Sequence, residues 1–163
     1  MKEVAPDLYV GTSSEARYIF SQRDEWRLVN VAKTIHLEIH GWSKPDSTSP
    51  YYVIHEDPQW ISVNWVDTPR AELFNYQNKG VSVVKQILAF IQKSLQEGKK
   101  VLISCDQGQS RSPSIAMLYL AKVLHTIRDT TFAEAVKEFV KIYPQYQPAL
   151  GISTFLTEHW TEI

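Results

Sequence analysis

The chain has 163 residues, 44% of them hydrophobic, which is enough for one well-buried core and short for two. Its formal net charge of −1, with no run of basic residues, gives no general attraction to nucleic acid or to acidic membranes. A single cysteine excludes an intramolecular disulfide and fits a reducing compartment, and no apolar stretch has the length of a signal peptide or a membrane span. The reading is therefore one soluble, cytoplasmic domain over residues 1–163, with its oligomeric state left open.

Strand-like and helix-like segments alternate along the chain, which predicts an α/β layered fold. Strands are predicted over residues 8–10, 28–31, 61–66 and 101–104. Ser13-Ser14-Glu15 caps a short helix running to Phe20. In Thr34-Ile-His-Leu-Glu-Ile-His40, apolar residues alternate with His36, Glu38 and His40. This pattern reads as a half-solvated strand, with a metal-binding face as the lesser alternative. Residues 41–58 form a long loop around the turn-rich Ser43-Lys-Pro-Asp-Ser-Thr-Ser-Pro50. Its aromatic ends, Trp42, Tyr51, Tyr52 and Trp60, either pin the loop to the core, the preferred reading, or border a substrate cleft. Residues 81–96 set Val84, Ile87, Leu88, Ile91 and Leu95 on one helical face, and Gly98 ends that helix. Further helices are predicted over residues 113–124, 132–142 and 153–160, while His55, His125 and His159 have no evident partners.

The run Val101-Leu-Ile-Ser-Cys-Asp-Gln-Gly-Gln-Ser-Arg-Ser112 carries the chemistry. An apolar strand that turns directly into a helix leaves several backbone N–H groups without intrahelical partners, all facing the hollow of the loop. Such a hollow binds a tetrahedral oxyanion. Gly108 lets the chain curl, and Arg111 offers two parallel hydrogen bonds in its fork geometry. The predicted phosphate-binding loop is Asp106, Gln107, Gly108, Gln109, Ser110 and Arg111. The same amides and helix dipole favour an anionic sulfur at Cys105, making it a nucleophile. The alternative, an inert buried cysteine, fits poorly with a polar, glycine-bearing turn. Transfer of phosphate from an ester also needs a proton for the departing oxygen, and Asp67, at the end of the strand Ile61-Ser-Val-Asn-Trp-Val66, is the best candidate, with Glu72 second.

Cys105-x-x-Gly108-x-x-Arg111-Ser112, preceded by Val101-Leu-Ile, resembles the signature loop of the cysteine-dependent protein phosphatases, and specifically the dual-specificity branch. Asp7-Leu-Tyr-Val-Gly11, Arg27-Leu-Val-Asn-Val-Ala32 and Thr131-Phe-Ala-Glu-Ala135, with Pro148 and Gly151, resemble flanking segments of that branch in the right order. The resemblance implies a protein-tyrosine-phosphatase-like fold with a central mixed sheet flanked by helices. It implies hydrolysis of phosphotyrosine, and of phosphoserine or phosphothreonine, in proteins or peptides through a cysteinyl-phosphate, with no metal or cofactor. Cys105 is then the nucleophile, Arg111 the phosphate ligand and Asp67, in a position like the family's mobile acid loop, the general acid. A hydroxyl at Ser112 assists the departure of sulfur, unless Ser112 simply caps the helix. Extra length between Asp67 and Cys105 is assigned to residues 74–80.

Three positions depart from the family pattern. Ser104 stands where the family has histidine, so either its hydroxyl takes over part of that structural role or the thiol is less activated. Asp106 adds a negative charge to a loop built for anions. Ala149 replaces a frequent asparagine and removes a supporting hydrogen bond. Alternatives to a protein phosphatase are a phosphatase of a lipid, nucleotide or sugar phosphate, which the lysine-free loop disfavours, and a weakly active phosphopeptide-binding module.

Overall fold

Four apolar runs, each too hydrophobic to tolerate a solvated face, build the centre of the molecule. In the computed structural model, which describes residues 1–163, they form the parallel strands β2 (Leu8–Thr12), β3 (Trp26–Asn30), β5 (Trp60–Val63) and β6 (Lys100–Cys105). The antiparallel edges β1 (Lys2–Ala5) and β4 (Ile54–Glu56) complete a six-stranded sheet in the order β1-β2-β6-β3-β5-β4. One face carries Val29, Ile61, Val101 and Ile103 into the main core. Helices α3 (Gly80–Gln96), α4 (Arg111–Leu118), α5 (Phe132–Ile142) and α6 (Leu150–His159) supply the other half of that core. On the opposite face Leu28, Trp60 and Leu102 pack against Ala16 and Ile19 of α1 (Ser13–Phe20) and Ile35 of α2 (Lys33–His40). The expected α/β fold with a mixed sheet flanked by helices is thus observed. No helix is long and apolar enough to cross a membrane.

Several boundaries differ from expectation for local reasons. The cap of α1 is Thr12, which forms a reciprocal capping box with Glu15. β5 ends at Val63 and α6 starts at Leu150, earlier than predicted in both cases. Helix α4 runs on through a wider-turned stretch, Tyr119–Val123. Both edge strands escaped prediction because they are short and charged, as edges are. Residues 71–78, which overlap the segment where extra length is expected, form a kinked 3-10 segment, Ala71–Asn78, whose Gln77 has φ +53° and Asn78 φ +58°.

The largest correction concerns residues 34–40, which are helical. In a seven-residue stretch, alternation of period two cannot be told from an i, i+4 pattern, and here Ile35 turns to the core while His36 and His40 share another face. The unused clue was Gly41, which closes the helix in the left-handed region at φ +68°. A metal-binding face does not form: Glu38 is paired with Arg17, and both nitrogens of the fully buried His36 are engaged, Nδ1 by the Ser62 hydroxyl at 2.7 Å and Nε2 by the Tyr51 carbonyl at 2.8 Å. The remaining histidines do have partners: His55 meets His40 (2.8 Å), His125 faces Asp129 (3.4 Å) and His159 contacts Glu162. Tyr51 stacks on His55 with centroids 3.6 Å apart and Trp42 on His40 at 4.5 Å, so these aromatics pin the 41–58 loop, whereas Tyr52 faces a cavity.

Burial pushes the His36 imidazole down to about 4, helped by His40 and His55 and only partly opposed by its bond to the Tyr51 carbonyl. The fold therefore holds the neutral ring. Its contribution is complete above the unfolded value of about 6.5 and is lost as pH falls towards 4, because the unfolded chain then binds the extra proton. Urea unfolding between pH 6.5 and 4 should show wild type losing stability more steeply than His36→Gln, by up to about 1.4 kcal/mol per pH unit. Equal slopes would remove His36 from the balance.

Candidate active site

The parallel strands all point their carboxyl ends to one rim, the place where open α/β sheets bind ligands. Cys105 ends β6, which lies between β2 and β3, and Asp67 follows β5 on the same rim. A cavity of about 190 Å³ opens there, lined by Asp67, Cys105, Asp106, Gln107, Gln109, Ser110, Arg111, Gln147 and Ala149. Glu72 is elsewhere: it is exposed, bonded to Arg70 at 2.8 Å, and borders a different depression beside Phe155 and His159. Hydrogen bonds to its own backbone and to Arg70 hold its carboxyl below the usual range.

The loop between β6 and α4 is held from outside so that its interior stays free. Gly108 adopts φ +69°, and a Cβ there would sit 3.1 Å from the Gly11 carbonyl, so the position suits glycine alone. Its own carbonyl accepts the Tyr143 hydroxyl at 2.6 Å. The Gln147 N–H donates to the Gln109 carbonyl at 2.8 Å, and the Ala149 N–H donates to the Ser110 hydroxyl at 3.0 Å. Main chain therefore supplies support where Ala149 has no side chain to offer. With the loop tied back in this way, the N–H groups of residues 106–110 donate to no acceptor in the chain. Unpaired amides gathered round one point are an anion cradle.

Cys105 is 2% exposed, and its Sγ lies 3.1 Å from the Ser112 hydroxyl. Ser112 is inside α4, beyond the Ser110 cap position, so it does not cap the helix. Gly108 and Ser112 do not line the cavity; Gly108 shapes the loop and Ser112 contacts the sulfur. The fork of Arg111 is partly engaged: Nη1 donates to the Trp65 carbonyl at 2.8 Å and Nη2 to Asp106 Oδ2 at 3.2 Å, while the buried Nε has no partner. Asp106 in turn accepts the Ser13 hydroxyl at 2.9 Å. Partial burial pushes the Asp106 carboxyl up, but Ser13 and Arg111 outweigh it and hold the group below its ordinary value.

Ser104 lies in register with Gly11 and Asn30, its side chain on the α1/α2 side of the sheet, and its buried hydroxyl has no hydrogen-bond partner. It takes over no bonding role of a histidine. The features missed from sequence are the Trp65 carbonyl, the Gln147 and Ala149 amides, Tyr143 and Ser13. Three of these act through main chain, which leaves no side-chain signature, and the other two come from distant segments without a motif.

The family described as the dual specificity phosphatase catalytic domain matches residues 13–145, and the chain belongs to it: a cysteine-dependent protein phosphatase domain of the dual-specificity type. It is 26% identical over 161 residues to dual specificity protein phosphatase 22-B of Danio rerio, covering 99% of this chain and 74% of the relative. It is 29% identical over 99 residues to dual specificity protein phosphatase PHS1 of Arabidopsis thaliana, covering 55% of this chain and a 10% share of that much longer protein. With dual specificity protein phosphatase 5 of Rattus norvegicus the identity is 31% over 120 residues, 74% of this chain and 26% of the relative. The fold is shared with the human tyrosine phosphatase-like serine/threonine/tyrosine-interacting protein, at TM-score 0.65 and 19% identity, covering 99% and 96% of the two chains. Human DUSP28 is similar at TM-score 0.64 and 18% identity, covering 98% and 92%.

Proposed function

We propose that the chain hydrolyses phosphomonoesters of tyrosine, and of serine or threonine, in phosphoproteins or phosphopeptides by way of a cysteinyl-phosphate. What supports this reading is the set of unpaired amides from residues 106–110 around a buried sulfur, with Asp67 on the wall of the same cavity. Phosphate oxygens take the amides together with Nε and Nη2 of Arg111, Asp106 giving way. Cys105 Sγ attacks phosphorus; the S–P bond forms as the ester P–O bond breaks, and Asp67 passes its proton to the departing oxygen. In the second displacement the Asp67 carboxylate takes a proton from water, the water oxygen attacks phosphorus, and the S–P bond breaks with the Ser112 hydroxyl donating to the leaving sulfur. Positioning and charge carry most of the acceleration, as is usual in phosphoryl transfer. The carboxylate at Asp106 and the absence of lysine from the loop disfavour a polyphosphorylated headgroup as substrate.

The purified chain should turn over an aryl phosphate and a phosphotyrosine peptide in the presence of chelator and be inhibited by vanadate. Activity abolished by chelator would overturn the scheme. Asp67→Asn should slow alkyl phosphates by about 10²–10⁴-fold and acidic aryl phosphates much less, because a poor leaving oxygen depends on the proton. Equal losses on both, or loss in Glu72→Gln instead, would remove Asp67 from the role.

The acid turn is positioned from α6. The Gly151 N–H donates to the Thr68 carbonyl at 3.2 Å, and a Cβ on Gly151 would lie 2.1 Å from that oxygen. Gly151→Ala must separate α6 from the turn and so displace Asp67. A misplacement of about 1 Å can cost about 10²-fold, so kcat on alkyl phosphates should fall to that extent while vanadate affinity is kept. A matching loss of vanadate affinity would point to damage to the cradle rather than to the turn.

A further inference from the structure

A second cavity, of about 210 Å³, lies beside the phosphate site and takes no part in the chemistry above. Its walls are largely apolar and aromatic, with Tyr52, Trp65, Leu73, Phe74 and Tyr76 among them. Two cations, Lys33 and Lys79, also line it, and neither makes a salt bridge within the chain. Asn64 contributes a buried Oδ1 that has no hydrogen-bond partner. An apolar pocket lined by two cations without salt-bridge partners is built for an amphipathic, anionic guest.

The two cavities are continuous along one stretch of chain. Trp65 and Val66 wall the apolar cavity, and Asp67, the next residue, walls the phosphate cavity. Trp65 belongs to both sites, since its carbonyl also holds Arg111. An extended peptide advances about 3.3 Å per residue, so a substrate anchored by its phosphate passes this ridge within one to three residues.

We propose that this cavity is a specificity subsite for the phosphoprotein substrate. It takes a large apolar side chain, aromatic or leucine-like, one to three residues from the phosphorylated position. An acidic neighbour of that side chain meets Lys33 and Lys79. The subsite rests on the phosphatase reading for its substrate, but peptide binding tests it separately.

The experiment scans phosphotyrosine peptides in which alanine at each of the three positions on either side is replaced by phenylalanine or leucine, with and without an adjacent glutamate. Turnover is measured with the wild type, Leu73→Glu and Lys79→Glu, and affinity with Cys105→Ser by fluorescence anisotropy. Leu73 and Lys79 are exposed, so both changes are compatible with folding. One position should show a gain of tenfold or more in kcat/KM, carried by KM. Leu73→Glu should cancel the apolar gain and Lys79→Glu the glutamate gain, with aryl phosphate turnover unchanged in both. A flat scan, a gain untouched by Leu73→Glu, or equal affinity for the unphosphorylated peptide would overturn the subsite. Failure of the wild type to hydrolyse aryl phosphate would instead count against the phosphatase reading, and peptide affinities would still decide the subsite.

Discussion

Cys105→Ser should lose turnover by more than about 10⁴-fold while holding a phosphopeptide within a few-fold of wild-type affinity. The two effects separate because nucleophile and cradle are built from different atoms. The sulfur forms the bond to phosphorus, whereas an alcohol oxygen is a far weaker nucleophile until a base removes its proton, and its hydrogen-bond partner there, the Ser112 hydroxyl, is no base. The amides of residues 106–110 and the Arg111 guanidinium are untouched by replacing sulfur with oxygen. Steady-state hydrolysis of an aryl phosphate and calorimetric titration with a phosphotyrosine peptide measure the two quantities independently. Substantial turnover in the variant would sink Cys105 as nucleophile; loss of binding with intact melting behaviour would mean that the cradle does not hold the phosphate.

Arg111→Lys should cost about 10²–10³-fold in kcat/KM, the scale of removing one preorganised donor from developing negative charge. Arg111 is 4% exposed, begins α4 and reaches both the Trp65 carbonyl and Asp106. A lysine ammonium is a point charge that cannot offer two parallel bonds to phosphate while also keeping the Trp65 carbonyl. Asp106 makes the loss worse, because its carboxylate would pair with whichever cation remains and compete with substrate. Vanadate affinity should fall together with kcat/KM. Wild-type efficiency in a folded Arg111→Lys would show that the fork is not what binds phosphate.

The four central strands were legible because each is a short apolar run buried on both faces. Helix α3 was legible because seventeen residues give the 3.6 period time to declare itself. Helix α2 was not, since eight residues of Ile-His-Leu-Glu-Ile-His character satisfy two periods equally until packing chooses between them. That choice sends His36 into the sheet face beside Ser62 and ends the metal reading.

At the site, the loop from Cys105 to Ser112 was readable because its function is local. Glycine at a left-handed position, unpaired amides at a helix start and a fork-shaped cation are all properties of eight consecutive residues. The sequence by itself determined the kind of fold, and it singled out Cys105 and the loop after it as the proposed nucleophile and anion cradle. Only the tertiary structure decided that Asp67, and not Glu72, shares a cavity with Cys105, through β5 ending on the same rim and Gly151 clasping the turn after Asp67. It also decided that Asp106 pairs with Arg111 and Ser13, and that Trp65 joins the phosphate site to a second cavity. Those contacts run between segments far apart in the chain, and several use backbone groups that every residue possesses, so no pattern of side chains could announce them before the chain had packed.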